Sequence, residues 1–98
     1  MIARAKRCPN CPATVVWLTS PFTGRDRMFN ARPVDGRTHV GPPAYPVEGQ
    51  HARRPRDLVE DLQVRRQVSV AEAQQEAYDM PWYVLHACPN RPSPPLGA

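Results

Sequence analysis

The placement of cysteine constrains this chain more than any other feature. All three cysteines and one of the three histidines sit in two short motifs, Cys8-Pro9-Asn10-Cys11 and His86-Ala87-Cys88. Two thiolates with two residues between them form a knuckle that grips one edge of a Zn²⁺ tetrahedron, and a distant Cys and His can supply the other two corners. Cys11 and His86 are about 75 residues apart in sequence, so one shared ion would tie the two ends together and fix the path of everything between them. The competing reading is a redox pair or disulfide at Cys8 and Cys11. It is disfavoured because three cysteines cannot all pair and no βαβ pattern opens a helix at Cys11.

The second motif carries its own geometric support. Trp82-Tyr83-Val84-Leu85-His86-Ala87-Cys88 is dense in aromatic and β-branched residues and reads as a strand. Alternation puts Trp82, Val84, His86 and Cys88 on one face and Tyr83, Leu85 and Ala87 on the other, so a His and a Cys two apart can reach one ion. The expected ligand set is Cys8, Cys11, His86 and Cys88. His39 is held in reserve as the fourth ligand, and His51 is expected at the surface.

Such a staple answers a need of the composition. A chain of 98 residues with 13 prolines builds one domain with a small core. A core of that size supplies ~5 kcal/mol, whereas a structural zinc supplies ~10–16 kcal/mol of apparent binding energy. Met1 to Arg7 is basic but has no apolar run behind it, and no stretch is long enough to span a bilayer. The expectation is a reducing cytoplasm, where thiolates persist as metal ligands.

Between the motifs, residues 1–7 read as a mobile basic arm. Thr14 to Thr19 reads as a strand, Ser20 to Gly24 as a turn and Arg27 to Ala31 as the antiparallel return, with Trp17 and Phe29 as a cross-strand pair. Pro33 to Pro55 reads as one long Pro-rich loop, with Thr38-His39-Val40 as a short third strand. Pro55 opens a first helix, with Leu58, Val59 and Leu62 on one face and an Asp61 to Arg65 pair. Ser69 and Glu72 form a capping box for a second, from Val70 to about Asp79, which Pro81 ends. Both helices are expected to pack lightly on the hairpin, unless the first offers Leu58 and Leu62 to a partner. The fold class is thus α+β: a small zinc-stapled domain over residues 1–90, made of a β-hairpin, a C-terminal strand, two short helices and a long Pro-rich loop. Residues 91–98 are expected to form a disordered tail.

With these residues placed, the chain resembles the small zinc-ribbon-like proteins of actinobacteria and their bacteriophages. The resemblance rests on Cys8 and Cys11, the strand containing Trp17, the Thr23-Gly24-Arg25 turn, Met28, Arg32-Pro33-Val34, and the closing strand with His86, Cys88 and Pro89. Those proteins commonly place three residues between the closing His and Cys, where this chain has Ala87 alone. The resemblance implies the metal role of the four ligands, an accessory protein and not an enzyme, and an origin in a phage genome.

Charge narrows the partner. Residues 1–56 hold ten Lys/Arg against three Asp/Glu, while residues 57–98 hold three against six. A basic half suits a polyanion, and the expected phosphate contacts are Arg4, Lys6, Arg7, Arg25, Arg27, Arg53, Arg54 and Arg56. Because no helix is basic enough to read a groove, any DNA contact must come from arm, hairpin and loop. The alternative is an adaptor or inhibitor that binds a host protein, such as transcription machinery, through the Pro-rich loop or through Leu58, Leu62 or Tyr45. A transcription-associated small zinc protein satisfies both. An enzyme is the weakest reading: Cys3His is the closed structural set, no Ser lies on a nucleophile elbow, and nothing pairs Glu76 or Asp79 with a nucleophile. Neither a small-molecule substrate nor a membrane partner is expected.

Overall fold

The computed structural model describes residues 4–88; the expected tail at 91–98 lies outside them. A mixed sheet of β1 (Lys6–Arg7), β2 (Thr14–Thr19), β3 (Asp26–Asn30), β4 (Ala44–Glu48), β5 (His51–Ala52) and β6 (Trp82–Val84) is joined by α1 (Pro55–Arg66) and α2 (Val70–Asp79). This is the α+β class that the sequence implies. The β2–β3 hairpin falls within a residue of its expected bounds. Its turn closes because Ser20 N–H donates to Arg25 O at 2.8 Å and Gly24 N–H donates to Ser20 O at 3.0 Å, with Gly24 at φ 70.

Two expectations for this region need correction. Trp17 and Phe29 are not a pair: Phe29 lies opposite Val16 and is buried, while Trp17 lies opposite Met28 on the other face. An odd-numbered offset between paired positions reverses the face, which is why the register could not be guessed from residue type. Lys6 and Arg7 are not a free arm either, since they pair with Thr14 and Val15 as an edge strand.

The span read as loop contains a second hairpin. β4 and β5 turn through Gly49 and Gln50, and Gly49 supplies the left-handed φ of 63 that a two-residue hairpin turn demands at its first position. Pro46 disguised the strand. It contributes its carbonyl to Arg53 N–H, while the neighbouring Val47 N–H makes the bond to Pro81 O, both at 2.9 Å, so the missing proline donor does not interrupt pairing with β6. Thr38-His39-Val40 is a turn in place of the expected strand, with both Thr38 and His39 N–H donating to Asp35 O.

Strand pairing then runs in a ring. β3 pairs with β2, β2 with β5 in parallel, β5 with β4 and β4 with β6. Phe29 bridges to Leu85 just after β6, and His86 N–H donates to Met28 O at 2.9 Å, which returns the circuit to β3. Val16, Leu18, Phe29, Val47, Ala52 and Tyr83 fill the interior. This closure is narrow, one bridge and one hydrogen bond just after β6, and it delivers the residues after Leu85 to the end of the sheet where β1 turns into β2.

The helices form a second, separate core. Leu58 and Leu62 of α1 close on Ala73 and Ala77 of α2, with both leucines 0% exposed. They face the partner helix and not the hairpin, and they are not available as anchors for another protein. Ser69 Oγ accepts from Glu72 N–H at 3.2 Å to start α2, and Gln67 adopts a left-handed φ of 53 to end α1. Trp82 couples the two cores. Its indole N–H donates to Ala77 O at 2.9 Å, and its ring lies stacked on Tyr78 and hard against Gly36. A Cβ at Gly36 would fall within 3.0 Å of three indole carbons. Gly36→Ala is therefore expected to cost about 1–3 kcal/mol, as overpacking does, and to lower the melting temperature followed by near-ultraviolet circular dichroism of the tryptophans.

Candidate metal centre

The first half of the centre is a β-turn product. Cys8 and Cys11 occupy the connection between β1 and β2, and Cys8 N–H donates to Ala13 O at 2.8 Å across its base. Asn10 N–H points at Cys8 Sγ at 3.5 Å, the backbone-to-sulfur donation that favours a thiolate. The second half is carried by the ring closure, since the His86 N–H bond to Met28 O sets the chain after Leu85 beside β3. His86 and Cys88 thus leave the chain on one side, as alternation requires.

The four side chains converge. Cys8 Sγ lies 3.5 Å from Cys88 Sγ, and His86 Nε2 lies 3.3 Å from Cys11 Sγ and 3.5 Å from Cys88 Sγ. All four donor atoms fall within 4.8 Å of one another. An ion with the bond lengths zinc makes, about 2.3 Å to sulfur and 2.0–2.1 Å to nitrogen, would have tetrahedral edges of about 3.8 Å between sulfurs and about 3.6 Å between sulfur and nitrogen. The cluster is already contracted to that scale without a disulfide: all three cysteines are free. Three sulfurs and an imidazole at these separations fit a four-coordinate metal ion.

Asn30, at the end of β3, completes the arrangement and was not anticipated from sequence. Its Oδ1 lies 2.7 Å from His86 Nδ1. An amide oxygen accepts, so it holds the proton on Nδ1 and leaves the Nε2 lone pair facing the sulfurs, the tautomer a metal requires. The one available signal was Asn30 itself, a residue type depleted in strands, standing where β3 should end in an apolar residue.

Electrostatics divide the thiols. Asn10 N–H holds the Cys8 thiol down to about 7 against its burial, while the hydrogen bond with Cys8, followed by burial, pushes Cys88 up to about 11. Near neutral pH the metal-free cluster keeps a proton on Cys88, and an incoming cation must displace it.

The remaining expected site residues are dispersed. His39 Nε2 contacts Pro42 O at 2.8 Å, away from the cluster, so the reserve ligand is not used. His51 is exposed. Arg4, Lys6 and Arg7 are exposed at the metal end of β2, with Arg25 and Arg27 near its opposite end. Arg54 covers the Phe22 ring at 4.7 Å, and Arg56 lies in the first turn of α1. Arg53 differs from the other seven: it is held by Glu48 at 2.9 Å and Asp61 at 3.4 Å, so its charge is already matched within the fold. Comparison of the chain with protein-family models, curated proteins and solved structures finds no match.

The reduced protein is expected to take up one divalent ion per chain, read by native mass spectrometry, and chelation should abolish the near-ultraviolet signal together with the ion. Retention of that signal after complete chelation would mean that the centre does not hold the two ends. Asn30→Ala is expected to weaken metal binding about 10- to 100-fold in chelator competition while leaving the stoichiometry at one. Because Cys88 is protonated below about 11, binding expels protons, and apparent affinity should rise with pH, about tenfold per unit for each proton displaced. Titrations against a chelator at three pH values between 6 and 8 test the sign.

Proposed function

We propose that this is a non-catalytic, structural-zinc protein of a reducing cytoplasm that binds nucleic acid through its basic N-terminal half. A transcription-associated role and an origin among the actinobacterial and phage proteins it resembles belong to the same proposal. Zinc is the ion favoured by three thiolates and one imidazole in tetrahedral disposition, and four protein donors leave no open coordination position for a substrate. Among the described residues no helix is long and apolar enough to cross a membrane.

The observation that carries the reading is where the ion pairs fall. Among the described residues they involve Arg37, Arg53, Arg65 and Arg66 with Glu48, Asp61, Glu76 and Asp79, all beyond residue 36. Residues 4–32 hold Arg4, Lys6, Arg7, Arg25, Arg27 and Arg32 against Asp26 alone, and none of those six cations is in a salt bridge there. Three thiolates around a divalent ion carry one net negative charge, which reduces but does not cancel that excess. Unmatched arginines on a rigid sheet are suited to phosphate, and guanidinium forks it with two donors.

One observation favours the adaptor as second reading. A groove between the helices, about 320 Å³ in volume, is lined by Val59, Val70, Tyr78 and Trp82, and Val70 is half exposed. Leu58 and Leu62 no longer support that reading, being sealed beneath it.

Salt dependence decides between them. Binding to a random duplex or single strand should weaken with a log–log slope of about −0.7 to −0.9 per phosphate contact. Alanine at Arg25 and Arg27 should each remove about one such unit, whereas Arg53→Ala should lower thermal stability and leave the slope unchanged. Absence of binding to either nucleic acid at low salt would retire the proposal in favour of the adaptor.

A further inference from the structure

The chain has seven aromatic side chains, two Trp, three Tyr and two Phe, and the fold accounts for all but one. Phe29, Trp82 and Tyr83 are buried. Tyr45 meets Phe22 and Phe29 edge-on, Phe22 lies under the Arg54 guanidinium, and Tyr78 stacks on Trp82 and carries Arg37. Trp17 is 39% exposed and has no ring or cation contact among the described residues.

Its surroundings are basic. β1 and β3 flank β2, and residues paired across strands share a face, so Trp17 emerges beside Met28 and on the same face as Lys6, which pairs with Val15. Lys6 is thus the diagonal neighbour of Trp17, about 7–8 Å away. A partly exposed indole beside a cation on a sheet presents stacking area and a phosphate contact together.

We infer that Trp17 is a stacking platform for an unpaired base, and that the ligand of this surface is single-stranded nucleic acid held by Lys6. The inference rests on the proposed function and names its ligand class. A duplex keeps its base faces inside its own stack, where an indole on a sheet cannot reach them, and neither helix is basic: α1 balances three arginines with three carboxylates and α2 is acidic. An unpaired base of any identity offers a π-face to indole, so the preference is for strandedness and not for sequence.

The test uses the full zinc-loaded chain, a labelled oligothymidylate of about ten nucleotides and a labelled random duplex, read by anisotropy and intrinsic fluorescence. Trp17→Ala should weaken oligothymidylate binding about 5- to 150-fold and leave both its salt slope and duplex binding unchanged. The oligonucleotide should quench wild-type emission, and Trp17→Phe, which retains only the buried Trp82, should lose that quenching. Metal content confirms that each variant is folded; if Trp17→Ala is not, Trp17→Phe decides by its quenching. Equal binding by wild type and Trp17→Ala, with a steep salt slope in both, would overturn the inference and leave phosphate binding standing. Binding of neither probe by any form would overturn both.

Discussion

The bond from His86 N–H to Met28 O is the contact on which the arrangement of this molecule depends. It lays the chain after β6 along β3, and everything the metal centre needs follows from that placement. Alternation then sends His86 and Cys88 to one side. Asn30, two residues beyond Met28 on the same strand, meets the His86 ring and sets its tautomer. β2 pairs with β3 on one edge and with β1 on the other, so the turn carrying Cys8 and Cys11 arrives at the same end of the sheet. The ion would join two ligand pairs that strand pairing brings to one end of the sheet.

What sequence could reveal depended on whether the determining interaction was local. The CxxC spacing, the His-x-Cys alternation, the β2–β3 hairpin and the Ser69 cap are decided within a few residues, and each was legible. β4 was not, because Pro42, Pro43 and Pro46 speak against a strand while the evidence for it lies in Trp82 to Val84, nearly forty residues away. The separation of Trp17 from Phe29 is of the same kind: both are strand-forming aromatics, and only the register assigns one to the interior. The helix pair was misjudged for a different reason. Both helices were expected to pack lightly on the hairpin, yet Ala73 and Ala77 let α2 approach Leu58 and Leu62 closely enough to form a core of their own. Asn30 was invisible because a supporting residue has no spacing rule to its ligand.

The two cores carry different electrostatic characters. In the helical half, Glu48 and Asp61 are shared between Arg53 and Arg65, a four-membered network spanning β4, α1 and the segment that joins β5 to it. Exposed pairs of this sort contribute little singly but orient the helix on the strand when several share partners. Among the described residues, the cations of residues 4–32 take part in no ion pair and are left to solvent. Trp82 is the hinge between these regimes, bonded to α2 and paired with β4, so changes at Gly36 should be felt by both cores.

The pairing ring also dictates an order of events. β3 and β6 form its seam, and β6 follows every other strand in the chain. During synthesis the β2–β3 hairpin and the β4–β5 hairpin can each form from neighbouring residues, but neither the interior nor the second pair of ligands exists until the chain beyond Trp82 has emerged. Non-local pairing of this kind is slow, because the closure entropy is lost before the contacts that offset it are made. In that interval Cys8 and Cys11 stand as a solvent-facing dithiol on an open sheet. The same topology that ties the two ends together therefore exposes the nascent chain to oxidation and edge pairing until its seam strand arrives.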